Sequence, residues 1–416
     1  MNLKKVLQSK ECGSAVVLVA LVVVLLSLMG LGLLQIGLSS RLLATQATNK
    51  IKACSAADAG LTKALFEINK KLKAKALSDQ SLPQVTDETL PGCDATFSYK
   101  ITAASIKAAL GVNSLTIESV GKYGYATRKV HALIGLKGLF DSAILVKDRM
   151  SLMPNTLVTG YNSADPTDKD FDLKIGTTST LADRIPLGPG TVVEGDVFVG
   201  IGGDPQTVIG AGGTITGNKY ALDMEPDFPV ITPSSLLTDW GTSLSAKGET
   251  ITINSAGSGT YSGIDLSKAD GNPGTLEIQG GKVVLHITGN IDLGQGCELI
   301  VRPGSSLVLY IDGDISADNS VGVNNQAGNV KDFQLYATGT GDQVFNLKAK
   351  SSVFGTVYAP KVDITLYPSV EMRGAIVGKS VTFKSGGKFY YDEALRDNVS
   401  IDDEGARFIV KRWGEE

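Results

Sequence analysis

The sequence predicts an α+β N-terminal module, one long helix plus a small antiparallel sheet, followed by an all-β domain built as a parallel β-helix. Three observations carry this. Nothing between Glu11 and Arg41 is charged, and Ser14 to Leu34 (SAVVLVALVVVLLSLMGLGLL) is almost wholly apolar. Apolar residues then recur at helical spacing as far as about Lys75. From about Phe140 that spacing disappears, and short strand-like runs alternate with Gly-, Asn-, Asp- and Ser-rich turns. Of 48 glycines, 35 fall between Gly160 and Gly387, so the chain is made of two kinds of material.

Composition bounds the function. At 416 residues the chain is long enough for two or three units, and 43% hydrophobic residues can fill a core. A net charge of −4 excludes a dominant basic surface of the kind that binds nucleic acid. Two histidines (His131, His286) and four cysteines exclude a His-rich metal site, a zinc ribbon and a dense disulfide framework.

The apolar run comes first. Its 21 residues rise about 31 Å as a helix, enough to cross a hydrocarbon core. Lys4, Lys5 and Lys10 precede it, which places the N-terminus in the cytoplasm and exports the bulk of the chain. A cleaved signal peptide should be followed by an A-x-A site, and SSRLLATQATNK contains none. Cys12 precedes the run, so no lipobox fits. The junction Lys10-Glu11-Cys12-Gly13-Ser14 suits a cut before the helix, which would then survive from Ser14.

Ala47, Ile51, Cys54, Leu61, Leu65, Ile68 and Leu72 lie three, four or seven apart and extend the helix as one apolar stripe. The reading is one helix from Ser14 to Lys75, about 90 Å long. Gly30, Gly32 and Gly37 predict local unwinding near the membrane exit. Behind it, Ala95–Ile101, Ser114–Val120 and Tyr125–Ile134 alternate as strands, with Gly121 to Gly124 as a turn. His131 on the last strand reads as an ordinary strand residue. If Cys12 leaves, Cys54, Cys93 and Cys297 remain. A Cys54–Cys93 bridge is open, but a small apolar residue on the helix stripe is the favoured reading of Cys54.

The Gly13/Ser14 junction, the apolar run and the later Ala56-Ala57-Asp58-Ala59-Gly60-Leu61 resemble the PilX-type N-terminal domain of type IV pilus minor pilins, over residues 13–136. The resemblance implies that a prepilin peptidase cuts after Gly13 and methylates Ser14. It also implies a pilin-like module. Major pilins carry glutamate at the fifth mature position, where this chain has Leu18. By resemblance, a subunit without that carboxylate sits at a tip and not along a repeating shaft. The division is then a leader at 1–13, a transmembrane helix at 14–34, a pilin-like helix and strand module at 35–138, a β-helix-like domain at 139–395 and a C-terminal tail at 396–416.

In the distal domain the runs are Thr250–Ile253, Thr275–Ile278, Val283–Ile287, Ile291–Leu293, Glu298–Val301, Leu307–Ile311, Phe333–Ala337, Val344–Leu347, Val353–Ala359, Val362–Leu366, Glu371–Val377 and Val381–Lys384. Three strands per coil give a period near 24, which suits a parallel β-helix better than a β-sandwich. Phe354-Gly355-Thr356-Val357-Tyr358-Ala359-Pro360, Gly374 to Ser380 and Tyr390 to Leu395 resemble an uncharacterised β-helical domain that often follows PilX-type N-termini. That domain commonly has His where Tyr390 stands.

Several site-like patterns have bland readings. Gly374-Ala-Ile-Val-Gly378-Lys379-Ser380 is one residue short of a phosphate loop and precedes a strand. The glycines of Gly200 to Gly203 and Gly210 to Gly213 read as corners. Asp165, Asp168, Asp170 and Asp172, and Asp312, Asp314, Ser316 and Asp318, alternate as calcium loops do, but lack the glycine and closing glutamate. Asp392 with Glu393, and Asp363 near Arg373, are the carboxylate groupings an enzyme would need.

The expectation is therefore a structural subunit without catalytic, cofactor or metal residues. It is anchored in a bacterial inner membrane, single-pass with its head periplasmic or carried outside on a filament. Its processing residues are Gly13 and Ser14, and its filament-packing residue is Leu18. Its partners are the membrane, a prepilin peptidase, other pilins and a surface or carbohydrate ligand of the head. The alternative is a membrane-tethered β-helical enzyme acting on polysaccharide.

Overall fold

The computed structural model describes residues 11–77, 82–102, 114–167, 171–318, 322–347, 353–368 and 370–415. It divides into two compact units, Met1–Gly135 with Phe408–Glu416, and Leu136–Arg407.

In the first unit one helix, α1 (Glu11–Lys73), runs unbroken through Gly30, Gly32 and Gly37. The expected unwinding there does not occur. Each glycine costs about 1 kcal/mol against alanine, but a broken turn in a bilayer would leave backbone groups without partners, at several kcal/mol each. Lys70, Lys71 and Lys73 close the helix, opposite in sign to its C-terminal dipole.

The sheet contains β1 (Gln84–Thr89), β2 (Thr96–Thr102), β3 (Ser114–Tyr123) and β4 (Ala126–Lys137), paired antiparallel in sequence. A fifth strand, Arg407–Glu415, lies beside β4. Residues 407–415, read from sequence as part of a C-terminal tail, form this strand. Phe408 is buried, and Asn69 of α1 clamps its backbone with two hydrogen bonds, Nδ2 to O at 3.0 Å and Oδ1 from N at 2.7 Å. β1 was not expected either, because QVTDET lacks alternation and bulges at Asp87 (φ 46°).

α1 lies on this sheet through small residues. Ala53, Ala56, Ala57 and Ala64 are wholly buried, with Leu61, Ile68 and Leu72, whereas Ile51 is 66% exposed. The buried stripe keeps Leu61, Ile68 and Leu72 of the expected one and departs from it at Ala47 and Ile51, which are exposed. Gly121 of β3 sets the contact at Ala53 and Ala57. A Cβ there would collide with the carbonyl of Ala53 and the amide of Ala57, so its absence lets the two backbones touch.

The second unit is a parallel β-helix, and all its strand ladders among the described residues are parallel. Val283 pairs with Leu307 and Glu298 with Gly322, each 24 positions on, which is the expected coil length. Inside it, Leu285, Leu309, Leu335, Val357, Ile376, Ile144, Ile175 and Val197 stack in register, nearly all at 0–2% exposure. Each contributes about 1.5–3 kcal/mol by burial.

That column breaks chain order. Along one face the rungs run Gly259–Tyr261, Gly281–Ile287, Ser305–Ile311, Phe333–Ala337, Val353–Leu366 and Glu371–Phe383, then Ile144–Val146, Lys174–Thr177, Asp196–Val199 and Lys219–Ala221. The early coils stack beyond the late ones. Residues 222–242 therefore form a strap that returns the chain from one end of the stack to the other. The strap is pinned by Asp227 to Arg407 at 3.3 Å, by Pro229 accepting from Tyr358 Oη at 2.8 Å, and by Phe228 beneath Lys147.

Candidate functional site

The feature that sets this chain apart is the exposed half of α1. From Val16 to Leu43 the helix is exposed throughout, and its side chains are apolar apart from Ser27, Gln35, Ser39, Ser40 and Arg41; Leu18 is 65% exposed. Gly13 and Ser14 lie in the first turns of the same helix. By length and composition α1 is the one helix among the described residues able to cross a membrane. Ser27 is the polar exception deep in the run, and its hydroxyl donates to the Val23 carbonyl at 2.8 Å. That back-bond lets the hydroxyl sit in hydrocarbon without a vacant donor. Such a surface is stable only against lipid or other apolar helices, at about 25 cal/mol per Å² covered.

Among the described residues, the sequence-selected patterns on the β-helix lie in separate structural contacts. Asp392 and Glu393 are 1% and 4% exposed. Asp392 accepts from the amides of Ser163 and Ala394, and Glu393 from the amide of Asp172 and the guanidinium of Arg396 at 2.5 Å. These carboxylates fasten a loop. Asp363 and Arg373 are not partners. Asp363 meets Ser380 Oγ at 2.5 Å and Lys379, while Arg373 binds Glu371 at 2.9 Å and stacks over the Tyr390 ring. Gly374 to Ser380 lies inside the strand Glu371–Phe383, so its amides belong to a ladder. One turn of helix, Pro205–Val208, does follow Gly200 to Gly203, but Asp204 caps it.

Of the acidic clusters, Asp168 and Asp170 lie outside the described residues. Asp172 binds Lys174 and Arg396. Asp312 meets His286 at 2.9 Å and the Thr338 hydroxyl at 2.7 Å, and Asp314 accepts from the Val344 amide. Among the described residues no three His, Cys, Asp or Glu side chains converge as metal ligands. Cys54, Cys93 and Cys297 are all free. Burial, then the neighbouring Asp58 and Glu415, push the Cys54 thiol up, away from reactive thiolate. His131 sits exposed on the open face of β4 with Gly414 of the last strand against it.

Sequence reasoning missed a buried tyrosine column outside one face of the β-helix. Tyr310 and Tyr336 stack with ring centres 5.4 Å apart, and Tyr358 lies tilted against Tyr336 at 6.4 Å. Their spacing of 26 and 22 positions was the available signal, since it is close to the coil period.

Residues 235–398 match a family model described as a domain of unknown function (DUF7305). No family model covers the PilX-like stretch. No curated protein matches the chain. Among solved structures, the competence-associated pilin ComZ from Thermus thermophilus aligns over 89% of this chain and 98% of its own, at 13% identity and a TM-score of 0.24. A glycosylated ice-binding protein from Arctic yeast aligns over 61% and 94%, at 14% identity and 0.31. The ice-binding protein_1 DUF3494 domain of Shewanella frigidimarina aligns over 62% and 97%, at 13% identity and 0.30. These scores are too low to bear on the fold, which rests on the strand pairings above.

Proposed function

We propose that this chain is a minor-pilin- or pseudopilin-like structural subunit. It is anchored by α1 in a bacterial inner membrane and enters a type IV pilus-like filament near the tip, with the β-helix as an outward head used for adhesion. The observation that carries the reading is α1 itself. Its apolar half is bare of protein contacts, while its second half is packed on a small sheet, so one rigid rod joins a bilayer to a folded module. The basic leader abutting that helix supports processing between Gly13 and Ser14. Leu18 in place of an acid supports a position with no subunit above it, because a carboxylate at that depth is tolerated only when paired.

The test is the mature N-terminus, read by mass spectrometry on protein from its native host. Ser14 is expected as the first residue, and Gly13→Val should retain the full-length precursor. A terminus other than Ser14, or normal processing of the variant, overturns the reading. Immunogold label should cluster at the ends of sheared filaments; even label along the shaft overturns the tip position.

A further inference from the structure

The turn joining β3 and β4 comes back against α1 at Asn49, where Gly124 is packed close enough that a Cβ would lie 3.1 Å from the Asn49 amide nitrogen. One turn further, Lys52 Nζ donates to Tyr123 Oη at 3.0 Å and lies over its ring. Tyr125, at the tip, is fully exposed, at 105%. An aromatic ring with a polar end is a side chain favoured at a lipid–water interface. Basic residues flank the turn on the elements it joins and touches: Lys50 and Lys52 on the helix, Lys122 on β3, and Arg128 and Lys129 on β4, with Arg128 on the face of buried Val130 and Lys129 on the open face. The acids nearby are Asp87, which binds Lys122 at 3.1 Å, with Asp94 near Lys52 and Asp58 and Glu415 near Cys54.

The helix brings this turn to a bilayer. The exposed stretch from Val16 to Leu38, in which Ser27 and Gln35 are the polar residues, rises about 35 Å, whereas the hydrocarbon core is about 30 Å thick. A span too long for its bilayer tilts, and Arg41 near its end snorkels to the headgroups. Asn49 is about 16 Å of helix beyond Leu38. Tilting toward the sheet side lowers the turn toward the headgroups.

We propose that the turn bearing Tyr125, flanked by Lys50, Lys52, Arg128 and Lys129, rests on the membrane surface and binds anionic phospholipid headgroups. The strand module is thereby held against the bilayer from which α1 emerges. This rests on α1 being a span, so the test separates the two.

The full chain is reconstituted into vesicles of phosphatidylcholine alone, or mixed with phosphatidylglycerol. Trp240→Phe and Trp413→Phe remove the native indoles, and Tyr125→Trp adds one reporter. All variants should float with vesicles; a chain that does not float overturns the span. With phosphatidylglycerol the indole emission should shift to the blue, and lipids brominated near the top of the acyl chain should quench it. High salt should reverse both, as screening weakens surface charge pairing. Arg128→Glu with Lys129→Glu should abolish the lipid dependence at unchanged circular dichroism. A floating chain whose reporter stays water-like in both lipids overturns the docking alone. If the reporter chain has an altered circular dichroism spectrum, protease protection of the β3–β4 turn in the otherwise native chain replaces fluorescence. Protection independent of phosphatidylglycerol then overturns the proposal.

Discussion

At the scale of single residues the tightest constraint is Gly121. A methyl group there meets helix backbone and not a yielding side chain, so Gly121→Ala must push α1 off the sheet. Overpacking commonly costs about 1–3 kcal/mol, and this site belongs at the upper end because Ala53, Ala56 and Ala57 all lose contact together. The expected outcome is an unfolding free energy lowered by that amount for the first unit, read as a lower urea midpoint, with the β-helix transition unmoved. An unchanged midpoint would mean that the close approach does not hold the module together. Gly121 also marks what the sequence could and could not reveal. It reads as a turn glycine when strands are sought by alternation, and only the helix lying over it shows that its small size matters. The alanines opposite it were passed over for the same reason. A stripe search weights large apolar residues, and so it selected Ile51, which faces outward.

Among the elements, the tyrosine column gives a pH dependence. Burial raises the hydroxyls of Tyr310, Tyr336 and Tyr358 above the ordinary tyrosine range, with Glu404 adding to the effect at Tyr310 and Tyr336 and Asp227 at Tyr358. Tyr336 donates to Gln334 and Tyr358 to the strap, so both are needed as neutral donors. An acid held more weakly ionised in the folded state favours folding below its unfolded pKa, near 10, and loses that contribution as pH rises beyond it. The β-helix should thus keep its stability to about pH 10 and then weaken steeply. The phenolate absorbance of these rings should appear only as the coils unfold. Ionisation of all 12 tyrosines ahead of unfolding would refute it. The strands themselves were legible from sequence: Thr250–Ile253, Thr275–Ile278, Glu298–Val301 and Phe333–Ala337 stand where alternation and turns placed them. The strands between 144 and 221 were not, because runs as short as Val192–Val193 carry no period. Of the functional features, the apolar helix was plain from its length. The carboxylate groupings could not be read as a site or as fastenings from sequence, because adjacency in sequence says nothing about which side of a coil a residue faces.

For the whole molecule, the order of coils decides how damage spreads. Ile376 sits in the core between Val357 and Ile144 and is wholly buried. Ile376→Asp buries an unpaired carboxylate, at a cost on the order of 4 kcal/mol or more. In a solenoid stacked in chain order this lesion would fray only the last coils. Here it separates residues 144–221 from residues 243–366, and limited proteolysis should cut early and late coils alike. Survival of an intact 144–221 fragment would contradict the stacking. The strap has a mechanical corollary. Both ends of the solenoid's chain, at Ile144 and at Asp392, join the stack at its middle rungs, so its two extremities contain no chain end from which to peel. A pull applied through those chain ends loads the waist as shear across Ile376 and Ile144, many hydrogen bonds at once. The outermost coils, which look most precarious, carry none of the tension.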